Sequence, residues 1–428
     1  MMRSLYSLFM WLAQPLLRRK LARRGGQEPG YLEAIEERFG RYDQDAPAVD
    51  GNTVWLHAVS LGETRAAVQL VVALRSHWPG MRLLLTHGTA TGRAEGRKLL
   101  QPGDLQCWQP WDTSGATARF IDHFRPRIGI LMETEIWPNL AAACAQGGVP
   151  LVLANARLSE KSLRWSQRLA WLARPVYRGL KAVWAQTQDD ATRLAAMGAE
   201  VQGVMGNLKF DATPDAAQLA LGRAWHARTG RPVVMFASSR DGEEAALLQA
   251  LAAPDLAQAA RAVQWLLVPR HPQRFDEVAT LITGHGFAVS RRSDWADGPP
   301  PIIADAPTLW LGDTLGEMAL YYALADVALL GGSFEPLGGQ NLIEAAACAC
   351  PVVMGPHTFN FAEAAELASA AGAAWCVGNV KEAVLVASAL AQDGHRLTGA
   401  RLACDDFARA HQGASERLAS AIARLLQV

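Results

Sequence analysis

A chain of 428 residues is long enough for two full domains, each with its own core. Lys+Arg and Asp+Glu both number 41, so no global field points to nucleic acid or to an acidic partner. The 6 cysteines are scattered, and only Cys348-Ala349-Cys350 is close-spaced, in a predicted alanine-rich helix without nearby histidines. That pattern predicts reduced, buried thiols rather than a disulfide framework or a zinc site.

Charge is nevertheless uneven at the start of the chain, where Arg3, Arg18, Arg19, Lys20, Arg23 and Arg24 crowd together. Between them Ser4–Leu17 is uncharged and apolar, with Leu5, Leu8, Phe9, Trp11 and Leu12 among its large side chains. A membrane-spanning helix needs about 20 such residues, and Pro15 interrupts this stretch. A signal peptide would end in a small-residue cleavage site, whereas this segment runs into Leu16-Leu17-Arg18-Arg19-Lys20. An apolar aromatic face beside a basic cluster predicts a helix lying in the surface of an anionic membrane; a first helix packed into the core is the alternative. Further on, Asp43-Gln44-Asp45 has the spacing of a divalent-cation clamp, but its polar setting reads as a solvated loop.

The first core strand is predicted at Val54–Val59, followed by the turn Ser60-Leu61-Gly62-Glu63-Thr64-Arg65 and a helix through Ala66–Leu74. A carboxylate at the carboxyl end of a parallel strand, over a helix N-terminus, lies where open α/β sheets bind ligands. The helix dipole favours its ionised form, which makes Glu63 a candidate general base. A plain first-turn helix acid explains the residue equally well. Further strands are predicted at Arg82–His87, Ile128–Met132, Leu151–Ala154 and Val183–Gln186. Polar rims follow three of them: Thr86-His87-Gly88-Thr89-Ala90-Thr91-Gly92, Met132-Glu133-Thr134-Glu135-Ile136-Trp137-Pro138-Asn139 and Asn155-Ala156-Arg157-Leu158-Ser159. Such rims suit a polar acceptor, with Ser60, Gly62, Thr89, Thr91, Gly92 and Arg157 as candidate contacts.

Gly206–Pro214 reads as an interdomain crossing, and its Lys209 is expected to act only when two domains close, or else to be a surface lysine at a linker. A second set of strands follows at Val233–Ala237, Trp265–Val268, Ala288–Ser290, Thr308–Leu311, Val327–Gly331 and Val352–Gly355. Strands separated by helices of about 10–15 residues predict parallel βαβ sheets, hence two Rossmann-like domains with a cleft between them. The predicted division is 1–24 as membrane-associated helix, 25–206 and 207–396 as the two domains, and 397–428 as a helix able to pack back on the first.

The clearest ligand signature lies in the second half, where Gly331-Gly332-Ser333 and Gly338-Gly339 precede Asn341-Leu342-Ile343-Glu344-Ala345-Ala346-Ala347. Glycines let a backbone approach a phosphate, and a helix starting near Asn341 offers free amides, with Glu344 one turn in for sugar hydroxyls. A glycine-rich loop without a ligand explains the glycines but not their pairing with a helix start. No Gly-Lys-Ser/Thr follows, and the dinucleotide fingerprint is missing after the first strand. Arg270, in Leu267–Pro272, and Glu317, in Leu311–Met318, add a cation and a carboxylate at further strand ends. Each is weak alone; together they make a nucleotide cradle.

Eight stretches in order carry a family resemblance: His-Ala-Val-Ser-Leu-Gly-Glu-Thr (57–64), Met-Glu-Thr-Glu-Ile-Trp-Pro-Asn (132–139), Asn-Ala-Arg-Leu-Ser (155–159), Gly-Asn-Leu-Lys-Phe-Asp (206–211), Val-Pro-Arg-His-Pro (268–272), Gly-Asp-Thr-Leu-Gly-Glu (312–317), Asn-Leu-Ile-Glu-Ala-Ala-Ala (341–347) and Met-Gly-Pro-His-Thr-Phe-Asn-Phe (354–361). Over nearly its whole length the chain resembles the 3-deoxy-D-manno-octulosonic acid (Kdo) transferases of lipopolysaccharide synthesis. The resemblance implies a GT-B fold, CMP-Kdo as donor and the acylated glucosamine disaccharide of the lipid A precursor as acceptor. It also implies inversion at the anomeric carbon, no metal or other cofactor, and a place on the cytoplasmic side of the inner membrane. By position the family's base falls on Glu63 and its transition-state stabilisers on Glu133 and Lys209. Its CMP contacts fall on Pro269 and Arg270, on Leu315, Gly316 and Glu317, and on Asn341, Leu342, Ile343 and Glu344. The chain departs from the pattern at Ala237–Glu244, which leaves Arg240 without a role. A GT-B enzyme of another sugar nucleotide (a UDP-sugar transferase or epimerase) and an inactive membrane-bound adaptor are the competing readings.

Overall fold

The computed structural model describes residues 2–43, 51–211, 213–302 and 307–427. Asp43 is exposed, and its neighbours Gln44 and Asp45 lie outside the described residues. The chain divides into two compact units, Met1–Asp211 with Gln412–Val428, and Ala212–His411.

The first unit is built on β1 (Thr53–His57), β2 (Arg82–His87), β3 (Leu105–Trp108), β4 (Ile128–Met132), β5 (Leu151–Ala156), β6 (Ala182–Ala185) and β7 (Val201–Val204). They form one parallel sheet in the order β3-β2-β1-β4-β5-β6-β7. Helices cover both faces of a parallel sheet, so the central strands β1 and β4 are buried at every position and mostly apolar. Alternate side chains serve opposite cores: Val54, Leu56, Ile128 and Ile130 pack on one face, Trp55, Leu84, Leu131 and Leu153 on the other.

The second unit carries β8 (Val233–Ser239), β9 (Gln264–Pro269), β10 (Ala288–Arg291), β11 (Thr308–Leu311), β12 (Val327–Leu330), β13 (Val352–Met354) and β14 (Ala374–Cys376). Its sheet is also parallel, in the order β10-β11-β9-β8-β12-β13-β14. Strand order reverses between β1 and β4 in the first unit and between β8 and β12 in the second. The carboxyl ends of these strand pairs are the topological switch points where ligands bind in open α/β sheets. The three strands without a sequence signal, β3, β7 and β14, are all edge strands, short and incompletely buried. Their assignment comes from pairing with a neighbour, not from hydrophobic pattern.

The unit boundary falls at 211/212 rather than 206/207, because Leu208 and Phe210 are buried within the first unit. The carboxyl-terminal stretch is likewise divided differently from the prediction. The helix Gly394–His411 stays with the second unit, where Leu397 and Ala400 join the core. The helix Ala414–Leu426 joins the first, where Asp211 accepts a hydrogen bond from the Gly413 amide at 2.6 Å and Leu418 and Ile422 enter the core beside Leu70 and Leu74. Five cysteines are buried and none is disulfide-bonded, but Cys376 is exposed on β14. Cys348 and Cys350 lie just beyond the helix Leu342–Ala347, not within it.

Candidate active site

Glu63 enters the first unit's switch point through the β1 turn. Ser60 caps the helix Leu61–His77, its Oγ accepting from the Glu63 amide at 3.3 Å. The Glu63 carboxylate reaches back, with Oε1 accepting from Ser60 Oγ and Oε2 from the Val59 amide, both at 2.9 Å. This resembles a capping box, with the acid bonding the amide before the N-cap and the cap hydroxyl itself, so the plain first-turn reading and the functional one describe the same side chain. The expected dipole-favoured ionisation does not govern it. Burial, and then the charge of Glu133, outweigh the two hydrogen bonds and raise its pKa from 4.5 to about 7. A carboxylate held near neutrality is matched to taking a proton at physiological pH.

Glu133 follows β4 on the other side of the switch point, with φ of 59° in the left-handed region that non-glycine residues seldom adopt. Its amide donates to Ala154 O, and its carbonyl accepts from the Arg157 amide, so β5 holds the strained turn in place. Lys209 Nζ lies 3.2 Å from Glu133 Oε1. The ion pair belongs to one unit, so Lys209 is in place without any closure of domains, contrary to the sequence expectation. The reason is local: Asn155 Oδ1 accepts from the Leu208 amide, Asn207 Oδ1 accepts from the Lys209 amide, and Leu208 is buried. Asn155 itself has φ of 51° at a register shift in the pairing of β5 with β6, a bulge that turns its side chain to the Leu208 amide. Beneath this group His57 is fully buried and pushed down to about 3, a neutral ring whose Nε2 lies 3.9 Å from Glu135 Oε2.

These shifts predict a pH dependence. A base must be ionised to work, so kcat/KM should rise as pH increases through about 7 and be lost below it. Glu133→Gln removes the nearby negative charge and should move that limb to lower pH by roughly half to one unit. A pH–rate profile of both proteins checks the shift; an unmoved limb would detach Glu63 from the titration.

The acceptor-side candidates separate into two groups. Gly62 and Thr91 are exposed, and Arg157 is partly so. Thr89 and Gly92 instead brace the loop: Thr89 Oγ1 donates to Val59 O at 3.0 Å and accepts from the Gly92 amide. A Cβ on Gly92 would meet Val59 O and the Ser60 carbonyl carbon at 3.1 Å, so its missing side chain makes room for the turn that carries Glu63. Ser60 is engaged by Glu63. Asp112, which sequence reasoning passed over, is buried and accepts from the Asn139 and Leu140 amides, fixing the helix that follows Glu135.

The second unit repeats the bulge at its own switch point, with Ser238 at φ 54° and a register shift between Ala237 and Ser239. Gly331 is required opposite it, because a Cβ there would meet Ser238 O at 2.2 Å. Glu243, fully buried, accepts from the Gly332 and Arg240 amides at 2.8 Å and from the Phe334 amide at 3.1 Å. Arg270 is exposed just past β9. It faces His271 together with Arg240 and Arg274, and burial and these three cations lower the His271 pKa. This brings Arg240, unassigned from sequence, close to Arg270, whereas Arg274 is neutralised by Glu244 at 2.8 Å and Glu277 at 3.0 Å. Asn341 caps the helix Leu342–Ala347 through the Ile343 amide and donates to Glu344 Oε1 at 3.1 Å.

Three donor-side candidates can offer only main chain: Leu342 and Ile343 are 1% exposed, and Pro269 is buried, because their side chains pack inward. Glu317 is paired with Arg292 at 2.8 Å, leaving the exposed Leu315 and Gly316 at the rim.

A family model described as "3-Deoxy-D-manno-octulosonic-acid transferase (kdotransferase)" matches residues 33–212. A 3-deoxy-D-manno-octulosonic acid transferase of Bordetella pertussis is 47% identical over 421 residues, covering 97% of this chain and 95% of that protein. One from Haemophilus influenzae is 32% identical, covering 85% and 84%. A solved glycosyltransferase of Rickettsia africae, 13% identical, covers 88% of this chain and 99% of its own with a TM-score of 0.58, which shows a shared, GT-B-like α/β fold. Identity of 47% across almost the whole of both chains leaves no room for a merely fold-level likeness, and the chain belongs to the Kdo transferases, glycosyltransferases of lipopolysaccharide biosynthesis.

Proposed function

We propose that the protein moves Kdo from CMP-Kdo to the glucosamine disaccharide of the lipid A precursor, in one displacement with inversion and without a metal. The observation that carries the reading is Glu63, poised at about 7 at the switch point beside the Glu133–Lys209 pair. An acceptor hydroxyl attacks the anomeric carbon of Kdo while Glu63 takes its proton. The bond from that carbon to the phosphate oxygen breaks, and CMP leaves with the electron pair. Lys209, oriented by Glu133, stabilises charge as the displacement proceeds. On the donor side Arg270 and the main chain at Leu315–Gly316 and Asn341–Glu344 hold the nucleotide, and fixed cations take the place of a metal. The first unit is assigned the acceptor, through Gly62, Thr91 and Arg157.

The site of action is the cytoplasmic surface of the inner membrane. Its support is the N-terminal helix Met2–Leu12, which leaves Leu5, Leu8, Phe9, Trp11 and Leu12 exposed and is followed by Arg18, Arg19 and Lys20. No helix among the described residues is long and apolar enough to cross a membrane, so this one is assigned to the interface.

Mass spectrometry of lipid products tests donor, acceptor and metal independence at once, with CMP-Kdo generated in situ, a tetraacyl lipid A precursor and EDTA. One or more Kdo mass increments are expected. An increment only when a divalent cation is restored would refute metal independence, and none under either condition would refute the acceptor.

A further inference from the structure

The helix Met2–Leu12 is oriented the wrong way round for a helix facing water. Its hydroxyls face the protein, Tyr6 donating to Asp112 Oδ2 at 2.9 Å and Ser7 to Asn139 Oδ1 at 2.8 Å. Its apolar side chains face out, Leu8 being 53% exposed and Phe9 67%. Because Asp112 and Asn139 are themselves buried and bonded to each other's segments, this orientation is built in.

A second surface of the same kind lies far away in sequence. The helix Glu160–Arg168 buries no residue, and with Ala170–Gly179 it exposes Trp165 (57%), Leu169 (45%) and Trp171 (44%). Two exposed tryptophans and a leucine so close together would be a liability in water, whereas tryptophan favours the headgroup region of a bilayer. Cations accompany them. Lys161, Arg164, Arg168, Arg174 and Arg178 lie on these helices with Glu160 as the one acid, and that acid is paired with Arg164 at 3.5 Å. The Arg168 guanidinium stands over the Trp165 ring at 5.3 Å, which keeps charge and aromatic face together.

The two surfaces adjoin. Arg3, at the start of the N-terminal helix, lines one depression of about 810 Å³ together with Trp171, Leu172 and Pro175.

We infer that the hairpin of helices Glu160–Arg168 and Ala170–Gly179 is a second membrane seat, resting beside the N-terminal helix on an anionic bilayer with Trp165, Leu169 and Trp171 at headgroup depth. Apolar area and basic charge act together in such binding, and the composition of the hairpin supplies both. Two seats on one unit fix its rotation about the first helix, which a single helix lying in the interface leaves free. The inference rests on the membrane reading of the N-terminal helix, so the experiment treats the two separately.

Full-length protein is compared by co-sedimentation with vesicles of phosphatidylcholine, with and without phosphatidylglycerol. The variants are W165S/L169S/W171S and, independently, L8S/F9S/W11S. All substituted side chains are exposed, and circular dichroism with CMP affinity controls for folding. The hairpin variant should bind phosphatidylglycerol vesicles roughly tenfold more weakly, and so should the N-terminal variant. Wild-type binding by the hairpin variant alongside loss in the N-terminal variant would overturn the second seat while leaving the first. Wild-type binding by both would remove both. Unchanged vesicle binding with loss of self-association in sedimentation velocity would assign the hairpin to a second copy of the chain and likewise overturn the inference.

Discussion

Glu63→Gln should reduce kcat by about 10²–10⁴-fold while leaving CMP affinity unchanged, the loss expected when a positioned general base is removed. The substitution is close to isosteric. The amide oxygen of the introduced glutamine still accepts from the Val59 amide, and its NH₂ donates to Ser60 Oγ in place of the bond now running the other way. The turn and the helix Leu61–His77 therefore persist, and the lost quantity is basicity. The nucleotide-binding candidates lie in Ala212–His411, whereas Glu63 belongs to the other unit, so CMP titration by calorimetry should report wild-type affinity. The residual rate should also lose the limb near pH 7 that Glu63 sets. Weakened CMP binding with substantial turnover would contradict the assignment.

The second large effect is expected on stability, from Glu243→Ala. This carboxylate is fully buried and accepts from three main-chain amides of two loops, Arg240 on one side and Gly332 and Phe334 on the other. Burial outweighs those bonds and holds its pKa above the usual carboxylate range. Alanine would leave the three amides without the carboxylate that now accepts from them. Each buried group so orphaned costs about 1–3 kcal/mol, and the three together should remove at least about 3 kcal/mol. For a unit of this size that corresponds to a fall in melting temperature of about 6–12 °C. Thermal unfolding measures it, with CMP affinity as the second readout, since the glycine loop after β12 loses its brace. A melting temperature within about 2 °C of wild type would show that the loop holds its shape without the carboxylate. Glu243→Gln, which keeps an acceptor oxygen, should recover part of the loss.

Much of what lines the carboxyl ends of the two sheets was legible along the chain because it follows strongly apolar strands. Val54–Val59 and Ile128–Met132 announce themselves by composition, and Glu63 and Glu133 follow them directly. Three of the four edge strands were not legible: Leu105–Trp108 and Val201–Val204, for example, carry polar side chains and become strands by pairing. Neither were the braces. Asp112 and Glu243 are ordinary acids in sequence, and only burial against main-chain amides gives them work.

What the sequence by itself determined is the succession of the central strands along the chain, the residues at their carboxyl ends and the family to which those motifs belong, since each follows from local pattern. Only the tertiary structure decided how those ends act on one another. It set Lys209 against Glu133 through the Asn155 bulge, and drove the Glu63 pKa to about 7 against the pull of its own helix. It also turned the apolar face of the N-terminal helix outward beside Trp171. Burial, Coulomb interaction and the choice of which face a helix shows are properties of neighbours in space, and no reading along one strand contains them.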